Sequence, residues 1–132
     1  MTTARHYDDP CGIARALDAA GDRWALLIVR ELIFGPQRFS QLRAGLPGVS
    51  PNVLAQRLRE LAAAGIVRSA LLDPPAAVAV YELTERGLAL EPVLLELARW
   101  GSQQPVTTTN GLSVSALMFA LRTVADPAGA WL

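Results

Sequence analysis

Basic and amide side chains are concentrated between residues 38 and 59 of this 132-residue chain. Arginine guanidinium groups bind phosphate oxygens or the edge of guanine, and asparagine and glutamine amides pair with adenine through two hydrogen bonds. We therefore predict that this segment contacts double-stranded DNA. Asn52 and Gln56 are predicted to contact base edges, and Arg57 and Arg59 to contact guanine or phosphate. Arg38, Ser40 and Arg43 are predicted to bind phosphates that position the protein, and Ser50 is predicted to make a further contact.

The distribution of charge supports this assignment locally but not for the chain as a whole. Twelve basic residues balance twelve acidic ones, and the pI of about 6.6 is not that of a typical nucleic-acid-binding domain. From Arg23 to Arg68, however, seven arginines stand against two acidic residues, a net charge of +5 (7 − 2). The positive charge therefore surrounds the candidate DNA-contacting residues.

The elements that would position these side chains form a helix, a turn and a second helix. Residues 38–44 have helical spacing, and Pro47 and Gly48 break the chain after them. Ser50 is a typical N-cap and Pro51 a typical first helical residue, so a second helix is predicted from Ser50 to Gly65. Steps of 100° place two opposite faces on this helix. The core face carries Leu54, Leu58 and Leu61, and the free face carries Asn52, Gln56, Arg59 and Ala63.

A hairpin and further helices complete the predicted fold. Residues 66–72 and 78–83 are apolar or β-branched and flank a loop with two prolines, which predicts two paired strands. The run from Asp22 to Leu32 is apolar on most of its circumference and predicts a buried central helix. A short helix over 11–20 precedes it. The fold class is mainly α with a small β-hairpin, a winged helix-turn-helix.

Two amphipathic helices are predicted after the hairpin. Thr84 caps a helix over 85–100 that Pro92 kinks or splits, and a polar linker over 103–110 separates it from a helix that begins at Ser113 and ends at Asp126-Pro127. The apolar stripe of the last helix must pack against the body of the protein, a second subunit or a partner outside this chain. On the helix over 85–100 the apolar stripe consists of Leu90, Leu94 and Leu97, with Val93 and Trp100 beside it. On the last helix the stripe consists of Val114, Leu117, Met118, Leu121 and Val124.

Several motifs follow one another in a fixed order along the chain. They include Gly21-Asp22-Arg23-Trp24, Gly35-Pro36-Gln37-Arg38-Phe39-Ser40-Gln41-Leu42, Leu46-Pro47-Gly48-Val49-Ser50, Gln56-Arg57-Leu58-Arg59-Glu60-Leu61 and Tyr81-Glu82-Leu83-Thr84-Glu85-Arg86-Gly87. Together they closely resemble the HxlR family of bacterial winged-helix regulators over about residues 11–101. The resemblance implies flanking dimerisation helices, a homodimer and a palindromic operator. We therefore expect a transcriptional repressor that is released by a small ligand or a thiol-reactive signal. Residues 1–102 would form this domain and residues 103–132 the linker and C-terminal helix, whose residues 112–123 resemble the start of a sterol-carrier-like extension.

Two smaller sites have alternative interpretations. Cys11 is either a redox or electrophile sensor, as the resemblance implies and a thiol at a helix start allows, or a small side chain packed at a dimer seam. Trp24, Phe39 and Trp100 either line a ligand pocket between the helices of a dimer or belong to the core.

Other classes of function are disfavoured. The chain has no histidine-containing catalytic constellation, no glycine-rich phosphate loop and no spaced cysteine or histidine cluster, so we expect no enzyme, no metal site and no cofactor. It has one cysteine, no signal-peptide pattern and no run long enough to span a membrane, so we expect a cytoplasmic protein. The alternative function is a winged helix that contacts another protein, because the net charge is zero and the wing carries no positive charge over 76–80.

Overall fold

The computed structural model describes residues 6–75 and 77–125, which form several helices and a two-stranded antiparallel sheet. The predicted fold class, mainly α with a small β-hairpin, is confirmed. The described elements are α1 (Gly12–Ala20), α2 (Ala25–Leu32), α3 (Phe39–Ala44), α4 (Pro51–Ala63), β1 (Val67–Leu71), β2 (Ala79–Leu83), α5 (Glu85–Leu88), α6 (Glu91–Gly101) and α7 (Val114–Ala125).

Local side-chain chemistry fixes both ends of α4. The hydroxyl oxygen of Ser50 accepts a hydrogen bond from the backbone N–H of Val53 at 3.1 Å, and Pro51 follows as the first helical residue. The turn before it contains Gly48 at φ 91°, a conformation that glycine adopts without steric cost. At the other end Gly65 has φ 76°, and the N–H of Ile66 returns to the carbonyl of Leu61 at 2.9 Å, which closes a Schellman motif. The predicted start of this helix is confirmed, and its end lies two residues before the predicted one.

The hairpin is attached to the start of the helix-turn-helix. β1 and β2 pair in register from Val67 opposite Leu83 to Leu71 opposite Ala79, which confirms the predicted wing. Gln37, just before α3, forms a bridge with Tyr81 of β2 through two backbone hydrogen bonds of 3.0 and 2.8 Å. The wing and α3 are thus joined by main-chain contacts.

The central helix α2 lies in the middle of the core, as predicted from its apolar circumference. It contacts α4, α6, α7 and β2. Its side chains Ile28, Val29 and Leu32 are buried together with Leu42 of α3. The predicted core face of α4 is confirmed, because Leu54, Leu58 and Leu61 are all buried in the same cluster.

The helix predicted over 85–100 is split into α5 and α6. The hydroxyl oxygen of Thr84 accepts a hydrogen bond from the N–H of Gly87, which confirms the predicted cap, and Pro92 lies in the first turn of α6. Of the predicted stripe on α6, Leu94 is buried, but Leu97 and its neighbours Val93 and Trp100 are exposed. Among the described residues, α6 is therefore covered on the side that faces α2 and α7.

The last helix packs in an orientation that its apolar periodicity did not indicate. All five residues of the predicted stripe are exposed, so the stripe does not pack against the body of the protein. The buried side carries Ser115, Ala116, Phe119 and Thr123 instead. These small and polar residues allow α7 to approach α2 closely, while Phe119 enters the core. The predicted helix end at Asp126-Pro127 lies outside the described residues.

Gly87 provides a test of the close packing between α5 and the wing. A Cβ atom at this position would lie 2.3 Å from the carbonyl oxygen of Ile66, a backbone atom that cannot rotate away. We expect Gly87→Ala to lower the free energy of unfolding by about 1–3 kcal/mol, measured by urea denaturation. Gly101→Ala is the control, since nothing lies within 4 Å of its Cβ position; equal losses in both variants would contradict this explanation.

Candidate nucleic-acid interface

The helix-turn-helix presents an exposed polar face formed by α3 and the first half of α4. Asn52 and Arg59 are exposed on α4, while Gln56 is half-buried between them. Ser50 is exposed and uses its hydroxyl oxygen to cap α4, which leaves the hydroxyl hydrogen available for donation. Before and within α3 the exposed candidates are Arg38, Ser40 and Arg43. The free face predicted from helical periodicity is therefore accessible, with Gln56 less exposed than expected.

Arg57 does not belong to this face. Its guanidinium Nε lies 2.6 Å from a carboxylate oxygen of Asp22, and its Nη1 donates to Glu60 at 2.9 Å. The Arg57 side chain is 13% exposed and that of Asp22 is 12% exposed. In the free chain two carboxylates therefore hold the guanidinium of Arg57 away from the exposed face, and the predicted contact of Arg57 with DNA stays a prediction.

Gln56 is engaged on both sides of its amide. The amide nitrogen donates to Oε2 of Glu60 at 3.0 Å, and the amide oxygen accepts from Nη2 of Arg59 at 2.6 Å. Because Glu60 can only accept and Arg59 can only donate, these two partners define the orientation of the amide. The amide of Gln56 is therefore oriented within the free chain, and its predicted contact with a base edge stays a prediction.

A buried carboxylate connects α2 to the start of α7, a feature that sequence reasoning missed. Glu31 is 2% exposed, and its Oε2 accepts from Nε and Nη2 of Arg30 and from the hydroxyl of Ser113 at 2.7–2.9 Å. Gln37 donates from its amide nitrogen to the carbonyl oxygen of Glu31 at 2.6 Å and to the hydroxyl oxygen of Ser115 at 3.0 Å. The only sequence signal for this network was a charged pair inside an otherwise apolar helix.

Comparison with known proteins identifies the family. The model of the HxlR-like helix-turn-helix matches residues 19–109, which include all of α2 to α6. The chain belongs to the HxlR family. It is a transcriptional regulator with a helix-turn-helix DNA-binding fold, and α7 lies beyond the matched range.

Individual HxlR-type relatives support the same conclusion. The chain is 39% identical over 89 residues to the HTH-type transcriptional regulator YvaP of Bacillus subtilis (strain 168), covering 67% of this chain and 82% of YvaP. The redox regulator HypR in its oxidized form is a solved structure with a TM-score of 0.67 and 32% identity, covering 74% of this chain and 100% of that one. The quinone-bound YodB of B. subtilis has a TM-score of 0.59 and 35% identity, covering 70% of this chain and 97% of that one.

The cysteine singled out in the sequence lies at the first turn of α1, before the range matched by the HxlR model. Cys11 is the N-cap of α1, and its sulfur accepts from the N–H of Ala14 at 3.3 Å. The side chain is exposed in the single chain. The sulfur is therefore accessible, and its two interpretations, sensor or packing residue of a dimer seam, stay predictions.

The three aromatic residues predicted either to line a ligand pocket between the helices of a dimer or to belong to the core differ in their burial within the single chain. Trp24 and Phe39 pack against the core, whereas Trp100 is 64% exposed on the outer side of α6. A cleft of about 340 Å³ lies between α1 and α4, and another of about 450 Å³ lies beside the start of α7; neither is lined by these aromatics. The packing of Trp24 and Phe39 against the edge of the core supports the second interpretation for these two residues, and a pocket between the helices of a dimer stays a prediction.

No described helix has both the length and the apolar composition needed to cross a lipid bilayer.

Proposed function

We propose that this HxlR-family protein is a repressor that binds a palindromic operator as a homodimer. The observation that carries the proposal is the exposed row of Asn52 and Arg59 on α4, a helix capped by Ser50 and introduced by the short helix α3. In helix-turn-helix proteins the second helix enters the major groove, and residues near its N-terminus contact base edges. Asn52 lies in the first turn of α4 and is thus suited to an adenine contact.

The remaining exposed residues have complementary roles in this proposal. Arg38, Ser40 and Arg43 bind phosphates and fix the register of α4, while Ser50 and Arg59 contact the DNA beside Asn52 and Gln56. The wing contributes little phosphate binding. Its one arginine, Arg68, is paired with Glu82 on the opposite strand at 2.7 Å.

The operator contact is tested with purified protein and the DNA that flanks its own gene, titrated at two salt concentrations. We expect a sequence-selective complex whose affinity falls steeply as salt rises, because phosphate contacts release counterions. An absence of any complex at low salt would overturn the proposal. That result would favour the alternative, a winged helix that contacts another protein, for which the zero net charge of the chain is the supporting observation.

The proposed homodimer uses apolar faces that the single chain leaves exposed on its flanking helices. On α1 these are Ile13 and Leu17, and on α6 they are Val93, Leu97 and Trp100. Apolar side chains in such a patch mark an interface, and a twofold dimer is the commonest arrangement. A dimer of this kind would place two α4 helices against two half-sites.

Leu97→Glu tests this interface. A carboxylate at the centre of the proposed contact would be buried without a partner, so we expect the variant to be monomeric at micromolar concentration, measured by analytical ultracentrifugation. Leu71→Glu is the matched control, because Leu71 is also exposed but lies on the wing. A dimer that survives Leu97→Glu unchanged would exclude this face of α6.

The proposed release signal acts on Cys11. The sulfur is exposed at the start of α1, one of the proposed dimer helices, and the related structures include a quinone-bound YodB and a redox regulator, HypR. A quinone would form a carbon–sulfur bond with Cys11, and the thiol proton would pass to the quinone oxygen. A bulky adduct there would change the spacing of the two α4 helices.

We expect treatment with benzoquinone to lower the affinity of the wild type for its operator by roughly tenfold, a factor that is typical of allosteric coupling between two sites. Cys11→Ser should bind the operator normally and show no response in the same gel-shift titration. Mass spectrometry of the intact protein reports whether the adduct has formed. An adduct on Cys11 with unchanged affinity would remove the sensor hypothesis.

A further inference from the structure

We infer that Arg57 is a positioning residue, which fixes α4 to the segment before α2 and orients Gln56 and Arg59 for DNA through Glu60. The inference rests on the proposed DNA-binding function of α4 and assigns a role to a residue that the structure removes from the exposed face. It concerns two motifs that are far apart in the sequence, Gly21-Asp22-Arg23-Trp24 and Gln56-Arg57-Leu58-Arg59-Glu60-Leu61.

The first part of the argument is the ion pair between Arg57 and Asp22. Their side chains are about seven-eighths buried, and Nε of Arg57 lies 2.6 Å from Oδ1 of Asp22. Asp22 is held in place because its carbonyl accepts from the N–H of Ala25 at 3.0 Å, at the start of α2. Since α2 lies at the centre of the core, this pair ties one edge of α4 to the segment that leads into that helix. A buried pair is also screened by salt much less than an exposed one.

The second part is a continuous series of side-chain contacts from this pair to the exposed face. Glu60 accepts from Nη1 of Arg57 with one oxygen and from the amide of Gln56 with the other. Gln56 in turn accepts from Arg59. We call the series Asp22, Arg57, Glu60, Gln56 and Arg59 the α4 relay. Each member of the relay is held by the one before it.

The third part concerns the rotation of α4 about its axis. Leu54, Leu58 and Leu61 hold the core face by apolar contacts, which are non-directional and permit small rolls of the helix. The close approach of Arg57 to Asp22 joins the edge of that face to the segment before α2, so the attraction between their charges opposes such a roll. Without it, the amide of Gln56 loses its fixed orientation and the base contacts of the exposed face are no longer aligned.

The test compares Asp22→Asn with Arg57→Lys in operator titrations over a range of salt. Asp22→Asn removes a negative charge, so long-range electrostatics alone would tighten DNA binding slightly. A positioning role instead predicts that binding weakens roughly tenfold, which is the effect expected when one base contact is lost. Arg57→Lys keeps the charge, but a lysine cannot bridge two carboxylates as the planar guanidinium does, so we again expect roughly tenfold weaker binding. Both variants should keep the wild-type salt slope, because every phosphate-binding side chain is still present.

Direct contact of Arg57 with DNA makes opposite predictions. Asp22→Asn would then bind as tightly as the wild type or more tightly, and Arg57→Ala would reduce the salt slope by about 0.9 for each phosphate that the arginine had neutralised. Either of these results would overturn the inference. Circular dichroism of each variant confirms that it is folded before it is titrated.

A measurement without DNA separates the relay from the proposed function. In the NMR spectrum of the free protein, the side-chain amide signals of Gln56 should shift in both Asp22→Asn and Arg57→Lys, whereas those of Gln103 should not. Unmoved Gln56 signals would overturn the relay whatever the protein binds. Shifted signals in a protein that binds no operator would support the relay and contradict the proposed function.

Discussion

The variant Arg38→Ala/Arg43→Ala is expected to bind the operator at least about 100-fold more weakly than the wild type. Both arginines are exposed at the helix-turn-helix, and the proposed function assigns them to phosphates. A hydrogen bond to a charged group contributes about 1.5 kcal/mol or more, which is roughly tenfold in affinity for each contact. The slope of log affinity against log salt should also fall, by about 0.9 for each phosphate contact removed. A gel-shift titration at several salt concentrations measures both quantities.

The matched control removes two other exposed arginines. Arg15 lies on α1 and Arg86 on α5, so Arg15→Ala/Arg86→Ala changes the net charge equally without altering α3 or α4. If general electrostatic attraction dominated, both double variants would weaken binding by the same factor. Equal losses would therefore contradict the assignment of Arg38 and Arg43 to phosphate contacts.

Local signals in the sequence were sufficient to predict most of the helix-turn-helix. Ser50 and Pro51 at the start of α4, Gly65 at its end and Thr84 before α5 act on backbone groups only a few residues away. Helical periodicity correctly separated the core face of α4 from its free face, because that helix is covered by the core on one side only. Predictions of this kind succeed because the interacting groups are close together along the chain.

The features that periodicity left undecided depend on distant partners. Periodicity placed Arg57 between the two faces of α4, and it could not show that Asp22, a residue from another motif, pairs with Arg57 in the folded chain. On α7 the periodicity identified the apolar stripe and left three ways of covering it. The structure excludes packing of that stripe against the body of the protein, because hydrogen bonds of Ser113 and Ser115 to the Glu31 region and the insertion of Phe119 orient the helix the other way.

The apolar stripe of α7 is exposed in the described part of the chain. The stripe from Val114 to Val124 carries no charge, and Arg122 beside it is paired with Glu91 of α6. The HxlR match ends at residue 109, before this helix begins. The resemblance of α7 to sterol-carrier-like proteins and the division of the chain at residue 102 stay predictions.

The largest loss of stability is expected from Arg30→Met. This change removes the charged partner of Glu31, whose carboxylate is 2% exposed and cannot reach solvent without disrupting the contact between α2 and α7. Removing one partner of a buried ion pair typically costs about 3–5 kcal/mol, because the remaining charge has lost its compensation. Small domains have a free energy of unfolding of about 5–15 kcal/mol, so the loss should be a large fraction of the total stability. Urea denaturation measures the difference.

The double variant Arg30→Met/Glu31→Leu shows whether the charge is the cause. An apolar pair of similar size leaves no buried charge, so it should recover most of the stability that Arg30→Met loses. Recovery will be incomplete, because Ser113 loses its carboxylate acceptor while its hydroxyl oxygen still caps α7 at the N–H of Ala116. Hydrogen exchange should therefore be faster in α7 than in α4 in the double variant. If both variants were equally unstable, the loss would lie in the packing of the Arg30 side chain and not in an unpaired Glu31.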